Sequence, residues 1–319
     1  MEQKALQVGA AVLALALLLR LAGSWQAGSE ELGRTLLFFS SGRLVTETNP
    51  PETEDAAQPT AEPAVQTAAV PVFGESQATL VQVNAAWEVD TARLLQAPLQ
   101  WQLKSDRPTV LILHTHATES YEKEAGYTET SPYRTLDTGY NMVSVGDRVA
   151  QLLEAGGIRV IHDRTLHDYP SYNDAYSNAR QAMEACLREN TGICLVLDLH
   201  RDAAEDANGN QKHSAVTIDG TSSANLMFVM GSDKGSLSFP NWEQNLSLAV
   251  KLQAQLEQSH PGLCRPVKLV TSRYNQDLST GALLVEVGTA GNTHAEALAA
   301  AEYLAEGILA LANGANLPS

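Results

Sequence analysis

Three short apolar runs constrain this chain more than anything else in it. Thr109 to Leu113 (TVLIL) is a nearly unbroken stretch of β-prone residues, the pattern of a strand buried on both faces. The later runs ICLVLDLHRD and ALLVEVG repeat it. Each ends on groups that a core does not hold cheaply. His114, His116 and Glu119 follow the first, Asp198, His200, Arg201 and Asp202 close the second, and Glu286 sits in the third. In open α/β sheets ligands bind just beyond the carboxyl ends of strands, so the three endings predict one convergent site.

Between these runs the periodicity changes. Met142, Val145, Val149 and Leu152 recur at helical spacing, with Gly156–Gly157 as the stop signal. IRVIHD predicts a further strand, and residues 173–189 a helix. AVTI and LMFVMG are two strand-like runs around a Gly-Thr-Ser-Ser turn. Leu246, Ala249, Leu252 and Leu256 mark a helix that stops before Pro261, and Ala297, Ala301, Leu304, Ile308 and Leu311 mark the last one. LVQVNAAW, near Leu80, predicts a short opening strand. Strands alternating with helices imply right-handed crossovers and a mostly parallel sheet flanked by helices. The expected architecture is a single α/β catalytic domain over residues 79–319.

The N-terminal part follows other rules. Residues 5–19 are almost uninterruptedly apolar behind Lys4, and continuing to Trp25 gives about 20 residues, enough to cross a bilayer. Residues 1–25 are therefore expected to be a retained membrane anchor, with a cleaved signal peptide as the alternative. Either places the rest of the chain outside the cytoplasm. Residues 26–78 are expected to be a juxtamembrane segment, with an amphipathic helix or a loose tail as its two readings, and then a stalk. In the stalk five prolines lie among acidic, Thr, Ala and Gln residues, too little apolar surface to fold. A formal charge of −16 argues against a nucleic-acid partner. Cys186, Cys194 and Cys264 match no zinc knuckle or CxxC spacing, and no structural disulfide is expected.

Two histidines two residues apart share one face of an extended strand, but where a strand ends the chain turns and one of them leaves that face. Imidazoles, a carboxylate and an open position for water are what a catalytic zinc uses, and a separate carboxylate must move the water's proton. His114 or His116, Glu119, His200 and Glu286 supply such a set. The plainer alternatives are hydrogen-bonded histidines, a salt bridge from Glu286 to Arg201, and an internal Asp198–Arg201 pair. For His162, His167, His213, His260 and His294 the solvated reading is preferred. No GxSxG elbow supports a serine hydrolase.

HTHATESY, DLHRD, YNQDLS (Tyr274 to Ser279) and LLVEVG, in this order, resemble the stage II sporulation protein P family, over roughly residues 80–312. The resemblance implies a peptidoglycan hydrolase of forespore engulfment: an N-acetylmuramoyl-L-alanine amidase with an added endopeptidase activity. It also implies a fold similar to the zinc-dependent amidase-3 group, a zinc cofactor, and partnership with sporulation proteins D and M. The implied location is the cell membrane, single-pass, with the catalytic domain extracytoplasmic. Carried over, His200 and one of His114 and His116 are histidine ligands, Glu119 is the carboxylate ligand with Asp137 as the alternative, and Glu286 is the general base. Arg201, Asn275 and Gln276 are candidate substrate-binding residues. The rival readings are a non-catalytic peptidoglycan-binding scaffold and another extracytoplasmic zinc peptidase.

Overall fold

The structure is a computed structural model that describes residues 73, 75–99 and 101–314. The predicted anchor and nearly all of the predicted stalk lie outside the described residues. Among the described residues no helix is long and apolar enough to cross a membrane. The described residues overlap the end of the predicted stalk at residue 78: Phe73 is buried, and a helical turn, α1, spans Glu75–Ala78. Phe73 lies 5.6 Å from the ammonium of Lys251, which donates to Leu94 O and Leu95 O in α2 (Thr91–Gln96). A buried cation at a helix C-terminus meets the partial negative charge of unpaired carbonyls.

Among the described residues there are nine strands, broadly in the expected alternation with helices. They are β1 (Val83–Asn84), β2 (Val110–Leu113), β3 (Val160–His162), β4 (Leu195–Asp202), β5 (Ala215–Ile218), β6 (Thr221–Ala224), β7 (Leu226–Met230), β8 (Val267–Leu269) and β9 (Ala282–Thr289). Seven form one sheet in the order β1-β8-β7-β9-β4-β2-β3, parallel except for the antiparallel β7–β9 pair. The Gly-Thr-Ser-Ser segment is not merely a turn: Thr221–Ala224 pairs antiparallel with Ala215–Ile218 as a separate hairpin. A two-residue turn, Asp219–Gly220, closes it with both residues at positive φ, which fits a primed hairpin turn.

The long helices are α3 (Met142–Ala155), α4 (Ala175–Glu189), α5 (Trp242–Ser259) and α6 (His294–Ala312). Asn141 caps α3 by accepting from Val143 N–H, and Thr293 with Glu296 forms a reciprocal capping box on α6. Residues of α3, α5 and α6 pack with Leu195, Leu197, Leu199, Leu283, Val285 and Val287 in the main core. The other face is thinner: Ala179 and Met183 of α4 cover Leu111, Leu113, Val196 and Ala282. Alternation along β4 and β9 sends Asp198, His200 and Glu286 to this second face. Cys186, Cys194 and Cys264 are free thiols.

Candidate active site

The second face presents polar side chains where β2, β4 and β9 lie side by side. His200 of β4 is in direct register with Glu286 of β9, which is itself opposite Met227 of β7. Just beyond them the register shifts between His200 and Asp202, while Gly288 adopts φ 75°. A side chain at Gly288 would meet Ala224 Cβ at 2.7 Å and Asn292 Oδ1 at 2.8 Å. The glycine of VEVG thus permits a bulge at the strand end, a device that re-aims neighbouring side chains.

β2 ends at Leu113, so the next residues turn and the two histidines part. His114 is fully buried beneath α3, where a Cβ on Gly146 would lie 2.5 Å from its Nε2. Its Nδ1 is 3.1 Å from Leu199 O, which can only accept, so the ring proton sits there. Nε2 then accepts from His162 Nε2 at 2.9 Å. Burial first, and the nearby His162, hold the His114 pKa down at about 3. Both nitrogens are committed, and of the two sequence candidates this one is a packing residue. The solvated reading also fails for His162 and for His167, which is buried against Asp163 Oδ2 at 3.0 Å.

His116 faces the other way. Its ring stacks on Tyr172 with centroids 4.6 Å apart and planes 11° apart, and meets Tyr176 and His200 edge-on at 5.5 and 5.4 Å. Its Nδ1 is buried without a hydrogen-bond partner, the Asp168 carboxylate standing 4.0 Å away. Burial lowers its pKa, against the pull of Glu119. His200 is held differently, between two carboxylates. Nδ1 is 3.7 Å from Glu119 Oε2, and Nε2 is 2.9 Å from Asp198 Oδ1 without the alignment of a hydrogen bond. Burial opposes its charging, but Asp198 and Glu119 outweigh that and raise its pKa well above the usual value.

Glu119 is buried, and burial pushes its pKa up. The Arg201 charge and the contacts with His200 and His116 reverse this and bring it to about 2. Its Oε1 lies 3.5 Å from Arg201 and 3.3 Å from Arg134, while Arg201 N–H reaches Oε2 at 3.3 Å. Arg201 therefore pairs with Glu119, and the alternative Asp198–Arg201 and Glu286–Arg201 pairs are not what forms. Asp198 instead accepts from Thr115 N–H and Oγ1–H at 2.8 and 2.6 Å, which ties the β2 turn to β4. Asp137, the alternative ligand, is exposed and accepts from Gly139 N–H in its own turn.

Glu286 Oε2 is buried with no hydrogen-bond partner. Burial, reinforced by Glu119 and Asp202, raises its pKa to about 8, although His200 and Arg201 pull the other way. The amides of the YNQDLS motif are spent internally. Gln276 is buried, accepts from Gly231 N–H at 2.9 Å and donates to Val229 O at 2.8 Å. Asn275 donates to Tyr176 O at 2.9 Å, so this motif braces the wall of the site. Arg201 likewise spends Nε and one terminal nitrogen on Ser120 O and Tyr133 O.

Reasoning from the sequence missed Arg134, Asp168 and Tyr172. Asp168 accepts from Thr118 and from Arg134 (2.7 Å), and Arg134 also lies 4.7 Å from the Tyr172 ring centre. No strand-end signal marks them, because they reach the site from loops. Arg134 and Arg201 border a cavity of about 940 Å³ that also meets Tyr133, Glu205, Gln211 and His213. Another of about 940 Å³ lies away from this chemistry, by Thr109 and Cys194 at the amino ends of β2 and β4.

Among the described residues, no three His, Cys, Asp or Glu side chains are gathered into a metal-holding group. The fit to zinc is one of donor type: two imidazoles and a carboxylate, with buried atoms of His116 and His200 left unpartnered.

The sequence profile of Stage II sporulation protein P (SpoIIP) matches residues 35–309. The chain belongs to this family. A relative within it, Stage II sporulation protein P of Bacillus subtilis (strain 168), is 32% identical over 218 residues, covering 64% of this chain and 51% of that protein. The chain thus spans about half the length of that SpoIIP relative. Among solved structures, N-acetylmuramoyl-L-alanine amidase AmiC2 of Nostoc punctiforme is 14% identical with a TM-score of 0.38 over 63% of this chain and 95% of that one. An N-acetylmuramoyl-L-alanine amidase from Clostridium difficile 630 is 18% identical with a TM-score of 0.36 over 65% and 97%. Likeness of this degree assigns no activity to the SpoIIP chain.

Proposed function

We propose that this SpoIIP-family chain is a zinc-dependent peptidoglycan hydrolase of sporulation, cutting the amide between muramic acid and L-alanine. The observation that carries the reading is the set of unpartnered buried polar atoms on His116, His200 and Glu286, at the carboxyl ends of neighbouring strands. Such atoms are costly unless function uses them. His116, Glu119 and His200 would hold the ion, in the order that the amidase-3 resemblance implies. Bound zinc supplies a water acidified to a pKa of about 7 and a polarised carbonyl.

The chain's own residues do the rest. Glu286 takes the proton of the attacking water and returns it to the departing L-alanine amine. A carboxyl poised near neutrality serves both transfers. Asp198 and Glu119 fix the plane of His200, and Arg201 with Arg134 holds Glu119 ionised. The cavity beside the two arginines offers room for the peptide side of the substrate. Endopeptidase cleavage, anchoring by residues 1–25 with an extracytoplasmic catalytic domain, and assembly with sporulation proteins D and M extend the same proposal.

One observation favours a second reading, peptidoglycan binding without turnover: the ligands are not already gathered into a metal-holding group. A single experiment separates the two. Purified peptidoglycan is digested by the full chain with zinc, with chelator and with zinc restored, and the products are identified by mass spectrometry. Zinc-dependent release of intact stem peptides is expected. Binding without products, with or without the D partner, rejects the amidase.

A further inference from the structure

We propose that Tyr172 is the positioning residue of His116, setting the plane of that imidazole by ring stacking where a hydrogen bond would ordinarily do so. This rests on the reading of His116 as a group of the reacting centre. Imidazoles that act on a metal or a substrate are usually oriented through their second nitrogen by a carboxylate or carbonyl. His200 has a carboxylate close to each ring nitrogen, Asp198 at 2.9 Å and Glu119 at 3.7 Å. His116 does not: its Nδ1 has no hydrogen-bond partner, and the nearest carboxylate, Asp168, is 4.0 Å away.

What touches the His116 ring is aromatic. Tyr172 lies almost parallel to it at 4.6 Å, while Tyr176 and His200 present edges. Parallel stacking restrains ring tilt, and the edge contacts restrain rotation about the stacking axis. Tyr172 is itself pinned. It opens a 3₁₀ turn, Tyr172–Asp174, that leads into α4, and the Arg134 guanidinium sits 4.7 Å from its ring centre. Arg134 in turn bonds Asp168 and Glu119, so one chain of contacts aligns His116 with its carboxylate neighbour. The tyrosine remains 55% exposed. Tyr169, three residues earlier and equally exposed at 55%, serves as the control.

The test compares Tyr172→Phe, Tyr172→Leu, Tyr172→Ala and Tyr169→Ala in the full chain, by kcat and KM on purified peptidoglycan fragments. The ring resonances of isotope-labelled histidines are followed in parallel, with His260 at the end of α5 as the reporter of an intact fold. Tyr172→Phe and Tyr169→Ala are expected to keep wild-type kcat. Tyr172→Leu and Tyr172→Ala should lower kcat by about 10- to 100-fold, with KM little changed. In these two variants the His116 resonance should move while that of His260 stays. Wild-type kcat in Tyr172→Ala overturns the proposal. So does a Phe variant as impaired as Ala, which would assign the effect to the hydroxyl. If the wild-type chain releases no product, the amidase reading fails, and the resonances alone decide: a His116 signal identical in wild type and Tyr172→Ala overturns the stacking role.

Discussion

Leu195, Leu197 and Leu199 leave β4 on one side of the sheet; Val196, Asp198 and His200 leave it on the other. The first side meets three long helices and belongs to the main core. The second meets one helix and then polar groups, several without partners. β9 divides in the same way, with Leu283, Val285 and Val287 against Ala282, Leu284 and Glu286. One residue's shift along a strand thus separates stability from chemistry. The two histidines after β2 restate the lesson: His114 is packed and satisfied beneath α3, whereas His116 is left with an unpaired nitrogen on the thin face.

That division can be broken most forcefully at Glu286. Glu286→Gln is expected to lower amide hydrolysis by about 10²- to 10⁴-fold, as for loss of a general acid–base group. Thermal stability at neutral pH should not fall below wild type. Substantial turnover in this variant would remove Glu286 from the mechanism. On the packed face, Leu197→Ala should cost about 2–5 kcal/mol in chemical denaturation. Activity per folded molecule should be kept, and a selective loss of activity would mean that the faces are not independent. The histidine pair sharpens the same contrast. His114→Ala should lower the melting temperature, while His116→Ala should leave it nearly unchanged and abolish hydrolysis. The reverse outcome would exchange their roles.

The most gradual expected change is a slope with pH. Burial holds the folded-state pKa of Glu286 at about 8, above the ordinary 4.5. The folded chain therefore binds more protons than the unfolded chain between those values. Glu286's contribution to stability is thus most favourable below about pH 4.5, and is lost as pH rises through about 8. The slope is at most about 1.4 kcal/mol per pH unit. Denaturation of chelator-treated protein at several pH values, wild type against Glu286→Gln, isolates it. Equal slopes in the two proteins would contradict the burial of this carboxyl.

Much of this fold is legible in the chain because buried parallel strands need continuous apolar runs, and such runs are rare enough to stand out. TVLIL, ICLVLDLH and ALLVEV are three neighbouring strands of the sheet, in the order β9-β4-β2. The helix over Met142–Ala155 shows its stripe and its stop. TSSA was harder to see, since a short polar strand on a small hairpin carries no apolar signature. The antiparallel direction of β7 has no local signal either, because direction is set by the connection and not by the run.

For the site, the sequence alone determined which chemistry-bearing residues cluster, since polar groups closing apolar strands stand next to one another in any parallel sheet. Only the tertiary structure decided which of them are free to act. His114 and His116 are indistinguishable by spacing, but the strand ends at Leu113 and the turn sends one under α3 and the other toward Tyr172. Arg201 and Gln276 looked available, yet partners distant in sequence use their hydrogen-bonding groups. Arg134, Asp168 and Tyr172 arrive on loops whose paths no local pattern encodes. Spacing along a chain specifies local geometry, whereas commitment of a donor or acceptor depends on which distant group the fold places beside it.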